Sequence, residues 1–148
     1  MVNSLNRQRV INFLEKFDSG DIEAALACCR DDIEFVANAP VDILPHMGQR
    51  HGKEEVLQMW QTVHGRYSNL RRELRSIVTG DDKVAVDMRA YFEKRSNGRI
   101  VQFDMAGFYT LKGGRITHIR EILDTFDIVQ QVLETDLGAL LGYKPNGV

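Results

Sequence analysis

Residues 99–124 read RIVQFDMAGFYTLKGGRITHIREILD. Apolar and polar side chains alternate, pause at Gly113-Gly114 and alternate again. A period of two marks strands with one covered face, and paired glycines supply the backbone angles of a tight hairpin. Upstream, Asn97-Gly98 and Gly80-Asp81-Asp82 punctuate the same period. The expected strands lie near 69–79, 83–95, 99–112 and 115–124, as an antiparallel meander.

Outside this block the period is 3.6. Val10, Phe13, Leu14 and Phe17 fall on one stripe, so residues 4–18 are expected to be a helix capped by Ser4 and ended by Gly20. Asp21 caps a second helix through Ile22, Ala25, Leu26 and Cys29, and a short β-like run follows from Ile33 to Asn38, stopped by Pro40. The string APVDILPHMGQRHG (39–52) has no period and leads into a third helix carrying Val56, Met59, Trp60 and Val63. Loops this long in compact domains tend to be functional. A last helical segment holds Ile128, Val129, Val132, Leu133, Leu137, Leu140 and Leu141, before a loose tail at Pro145 and Gly147. Helices first and then a twisted antiparallel sheet give an α+β domain with helices on one sheet face.

At 148 residues the expectation is a single domain over 1–148 that needs neither disulfide nor metal to hold its core. The net charge of -2 gives no general attraction to nucleic acid or anionic membrane. Without a signal-like start or a long apolar run, a cytoplasmic protein is expected. Cys28 and Cys29 are adjacent and read as reduced, helix-borne thiols with Cys29 in the core; a vicinal redox pair is the alternative.

If Asn97-Gly98 is a two-residue turn, Tyr91 lies opposite Asp104 and Arg89 opposite Ala106; if Leu111 pairs with Ile116, Glu121 also lies opposite Ala106. Alternation then sets Asp87, Arg89, Tyr91, Gln102, Asp104, Ala106, Phe108, Ile119 and Glu121 on one face. Val86, Met88, Ala90, Phe103, Met105, Tyr109 and Ile122 take the other. Arg89, Tyr91, Asp104 and Glu121 become neighbours. An arginine beside two carboxylates and a phenol suits acid–base chemistry, since one carboxylate stays ionised while the second is pushed toward protonation. The same pattern also describes the solvated face of a half-exposed sheet.

The element order, the loop string LPHMGQRHG opening a helix and GGRITHIREILD near the end resemble the SnoaL-like (nuclear-transport-factor-2-like) superfamily over nearly the whole chain. The resemblance implies a cone-shaped, highly curved sheet whose concave face is covered by the N-terminal helices and encloses a small-molecule pocket. It implies catalytic roles for Asp104 and Glu121 in proton transfer, with Arg89 steering them and Tyr91 donating a hydrogen bond. Phe13, Phe17, Phe35, Trp60, Ala106, Phe108 and Ile119 become ligand-binding walls, with His46 at the pocket mouth. Among relatives, limonene-epoxide hydrolases set an arginine, a carboxylate two residues on and a carboxylate on the last strand, where this chain has Arg89, Tyr91 and Glu121. Ketosteroid isomerases set a base near the end of the first strand, where this chain has Ala37 and Asn38. Polyketide cyclases use a carboxylate late in the sheet, a place that Glu121 or Asp104 fills.

The expected ligand is a small apolar metabolite, transformed by isomerisation, cyclisation or hydrolysis without a cofactor. The alternative is a non-catalytic binding or assembly module, homodimeric through the open sheet face. His46, His51, Asp42, His64 and His118 lack the spacing of a metal site, so no metal is expected. Arg66, Arg71, Arg72 and Arg75 are basic, but alternation separates Arg72 from Arg71 and Arg75. A solvated face or subunit contact fits them better than nucleic acid. No phosphate loop, dinucleotide fingerprint or nucleophile elbow is present.

Overall fold

The computed structural model describes residues 2–142. The chain runs α1 (Val2–Asp18), α2 (Ile22–Ala27), β1 (Cys29–Ala37), β2 (Gln49–His51), α3 (Gly52–Arg66), β3 (Tyr67–Gly80), β4 (Lys83–Lys94), β5 (Ile100–Lys112), β6 (Arg115–Leu123), α4 (Thr125–Leu133) and α5 (Leu137–Leu140). The six strands form one open sheet in the order β2-β1-β6-β5-β4-β3. The fold is α+β, with α1 and α3 packed on one face of the sheet. No helix among the described residues is long and apolar enough to cross a membrane.

Local chemistry explains the helices. Val10, Phe13, Leu14 and Phe17 of α1 and Val56, Met59, Trp60 and Val63 of α3 are all buried, so each apolar stripe turns onto the sheet. Asp21 caps α2 by accepting from the Ala24 N–H at 3.1 Å, and Asp124 does the same for Asp127 in α4. Helix α1 starts at Val2, ahead of the expected Ser4.

Several expectations need correction. The sheet is mixed: β1 runs parallel to β6, because the segment that returns from β1 includes helix α3 and the meander. The irregular loop contains a short strand, β2, paired with β1. Cys29 opens β1 and does not end α2, and both cysteines are free. The last segment is two helices, broken where Glu134 adopts a left-handed φ of 54° and Asp136 caps α5. Pro145 and Gly147 lie outside the described residues.

Two register findings decide the site. The β4–β5 turn spans four residues rather than two: Lys94 N–H bonds to Arg99 O, so Arg89 pairs with Asp104 and Tyr91 with Gln102. The Gly113-Gly114 hairpin forms as expected, with φ of 57° and 79°, and Leu111 pairs with Ile116. Thr110 then pairs with His118, so Thr117 is an extra residue in β6, a β-bulge. Thr117 is buried beside Ile116, and its hydroxyl donates to Thr110 O at 3.3 Å. Beyond the bulge Glu121 sits opposite Gly107, not Ala106.

Candidate active site

The bulge splits the expected cluster. Arg89, Tyr91, Gln102 and Asp104 do meet, on the sheet face away from the helices. Arg89 donates to Asp104 at 2.9 Å and to Gln102 at 3.3 Å, and Arg75 reaches Asp104 at 3.1 Å. Tyr91 donates to Glu73 at 3.1 Å and lies under the Arg71 guanidinium. The hydrogen bond from Arg89, followed by the charges of Arg75 and Arg89, holds the Asp104 carboxyl below its ordinary range. This network faces solvent and keeps Asp104 ionised. Glu121 is not part of it.

Glu121 points instead into a cavity beneath α1 and α3. The cavity is narrow and partly open to solvent, and its wall is largely aromatic and aliphatic. Of the expected wall residues, Phe17, Phe35, His46 and Trp60 line it. Phe13 lies behind the wall, its ring 5.6 Å from Trp60 and 6.0 Å from Tyr109. Ile119 is buried opposite Tyr109, outside the cavity wall. Ala106 and Phe108 sit on the opposite sheet face, with Phe108 46% exposed, so they are not walls of this cavity.

Arg72 was separated from its basic neighbours by alternation, and the structure shows what that separation means. Its side chain is 6% exposed, and its Nε donates to Asp18, the last residue of α1, at 2.9 Å. Its Nη1 lies 3.6 Å from Met88 Sδ and 3.8 Å from Met105 Sδ. Burial works against the Arg72 charge, but Asp18, Tyr109 and Glu121 more than offset it, and its proton is held more tightly than usual.

Tyr109, which alternation set on the face opposite the polar cluster, is the second residue that sequence reading did not bring to the site. Its phenol oxygen is buried and, among the described residues, has no hydrogen-bond partner. The phenol lies over Gly107: a Cβ there would stand 2.6 Å from the Tyr109 oxygen. A glycine inside a strand signals close approach of this kind, and that signal was available in the sequence. Because Gly107 pairs with Glu121, the phenol, the carboxyl and the Arg72 charge form one electrostatic group. Burial, then the Glu121 charge, pushes the Tyr109 proton affinity up. Burial likewise raises the Glu121 carboxyl above the ordinary range; Arg72 pulls it back and Asp18 adds to the rise.

The strand end where a base was sought has none, but Ala37 is registered beside Glu121 across the parallel β1–β6 pair. Asn38 locks that edge, donating to Leu123 O and accepting from the Leu123 N–H at 2.8 Å. At the mouth, His46 is pushed down to about 4 by burial, with Arg66 and Arg50 adding to the effect, so it is neutral near pH 7. His51 pairs with Glu34 at 2.7 Å on the surface, and His118 contacts the bulge residue Thr117.

A SnoaL-like domain model matches residues 10–119 of the chain. A protein from Rhodopseudomonas palustris, provisionally assigned as an isomerase, superposes with a TM-score of 0.78 at 27% identity, covering 87% of this chain and 96% of its own. An LEH-like epoxide hydrolase of M. tuberculosis superposes with a TM-score of 0.75 at 17% identity, covering 96% of this chain and 99% of its own. An NTF2-like protein of unknown function from Burkholderia pseudomallei K96243 gives 0.78 at 19% identity, covering 86% of this chain and 97% of its own. No curated protein matches the chain.

Proposed function

The chain belongs to the SnoaL-like domain family, and on that premise we propose that it is a cofactor-independent acid–base enzyme acting on a small, neutral, largely apolar metabolite inside the helix-covered cavity. The observation that carries this reading is Glu121: a carboxyl of raised proton affinity in an apolar wall, beside a phenol that lacks a partner. Such a carboxyl exchanges a proton near neutral pH more readily than an exposed one. Tyr109, buried behind the cavity wall, would act through Glu121, to whose charge it is coupled. Arg72, already neutralised by Asp18, would steady charge that develops there without attracting anions strongly. Glu121 stands in-register beside Ala37, so β6 supplies a carboxylate next to the strand end that lacks one. Isomerisation, cyclisation and epoxide opening all fit this proton-transfer set.

Trp60 is the chain's sole tryptophan and lines the cavity, so ligand entry is read from its emission. Cyclic enones and epoxides are the probes, with turnover followed by product analysis across pH. The expected result is saturable quenching, and turnover that falls by about 10²–10⁴ in Glu121→Gln while Asp104→Asn is unchanged. Turnover that survives Glu121→Gln, or that disappears with Asp104→Asn, overturns the assignment.

A second reading concerns assembly. We propose a homodimer seated on the outer sheet face, where Phe108, Ile122 and Val36 are 46%, 37% and 39% exposed. The same face carries both signs, Arg75 and Arg89 with Asp104 and Glu73, as a self-complementary two-fold contact requires. Sedimentation of the wild type and of Phe108→Glu tests it: a wild-type monomer at micromolar concentration, or an unchanged dimer in the variant, rejects it.

A further inference from the structure

Helix α1 has a second face that the acid–base cavity does not use. Its apolar stripe turns onto the sheet, while Arg9, Asn12 and Lys16, at i, i+3 and i+7, lie along one exposed side. That side forms one bank of a groove with about 690 Å³ of atom-free space, counting the part open to solvent. Cys28, Gly114 and Arg115 help to form the rest.

None of the groove's lining residues is acidic. Among the described residues, none of its three cations is in an ion pair. In a chain of net charge -2, three such cations around one polar groove are a local excess of positive charge. The groups are also held in place. Arg9 donates to Asn6 at 3.1 Å, and its guanidinium lies against the hairpin at Gly114, where a Cβ would stand 3.0 Å away. Asn12 accepts from Gln8 through its Oδ1 at 2.9 Å, which leaves its amide hydrogens to donate. Lys16 Nζ lies 3.8 Å from Cys28 Sγ.

From this geometry we infer that the groove between α1 and the β5–β6 hairpin binds a small polyanion, a phosphate or polycarboxylate group, held by Arg9, Lys16 and Arg115 with Asn12 donating. The site is separate from the acid–base cavity and does not depend on the reading given to it. Its occupant is recognised by charge and by donors alone.

Inorganic pyrophosphate and citrate are titrated into the full chain at low ionic strength, with calorimetry as the readout. The wild type is expected to bind at least one of them saturably at a single site. The Lys16→Gln/Arg115→Gln double variant should bind about tenfold more weakly, and Lys16→Arg/Arg115→Lys should keep the affinity. Preference for pyrophosphate assigns a phosphate-bearing ligand, and preference for citrate a polycarboxylate. All the substituted side chains are exposed, and circular dichroism melts check that the variants fold. Failure of both anions to saturate the wild type, or equal binding by the neutral double variant, overturns the inference.

Discussion

Two arginine–carboxylate pairs sit on opposite faces of the same sheet at the same distance: Arg72–Asp18 and Arg89–Asp104 are both 2.9 Å. Side-chain exposures of 6% and 15% in the first pair, against 24% and 53% in the second, separate them. In the cavity, the charges are shielded from water, so they act on Glu121 and Tyr109 nearby. Outside, water screens the contact, and Arg89 with Arg75 holds the Asp104 carboxyl ionised and below its ordinary range. Contacts of the same length thus lie in a desolvated group of charges on one face and in a solvated network on the other.

The largest expected effect that tests this contrast is Arg72→Ala. It leaves Asp18 partly buried without its partner and should lower stability by about 3–5 kcal/mol, measured by urea unfolding. A loss no greater than that of an exposed pair would erase the distinction. Gly107→Ala comes next: its Cβ meets the Tyr109 oxygen at 2.6 Å and ring carbons at 2.8 and 2.9 Å. The expected cost is about 1–3 kcal/mol, only partly restored by adding Tyr109→Phe, because the ring carbons remain.

Glu121→Gln should change sign, stabilising the fold by about 1 kcal/mol at neutral pH while turnover is lost. The folded state raises this carboxyl's affinity for a proton, so the wild type loses stability as pH rises from the ordinary glutamate range through the raised folded value. The gain in the variant therefore vanishes at acidic pH and is full above that window. Thermal melts across pH that show a constant difference would remove the burial argument. The smallest effect is on the outer face, where Asp104→Asn should leave both the melting temperature and Trp60 quenching unmoved. A clear loss in either would bring that network back into the function.

The element order was legible because helical and strand periods are local properties, and the turn at Gly113-Gly114 is fixed by its two residues. The site was legible only in part. The β4–β5 register differs from the expected one by an even step, so Arg89, Tyr91 and Asp104 keep their common face despite new partners. The β5–β6 register differs by one, and a single extra residue reverses every side chain beyond it. Nothing around Thr117 announces the bulge, so Glu121 was placed with the wrong neighbours. Arg72 and Gly107 did carry signals, in an alternation that isolates one arginine and in a glycine inside a strand.

The edge beside the acid has a consequence for how the protein comes into being. Asn38 and Leu123 exchange two hydrogen bonds across 85 residues, and Ala37 pairs with Glu121 over nearly the same span. Closing so long a loop is rewarded only after the intervening helix and hairpins have formed. On this argument Glu121 is expected to acquire its raised proton affinity late, once its burial in the cavity is complete. Proton uptake by Glu121 during refolding, followed with a pH indicator, would then time the completion of the cavity.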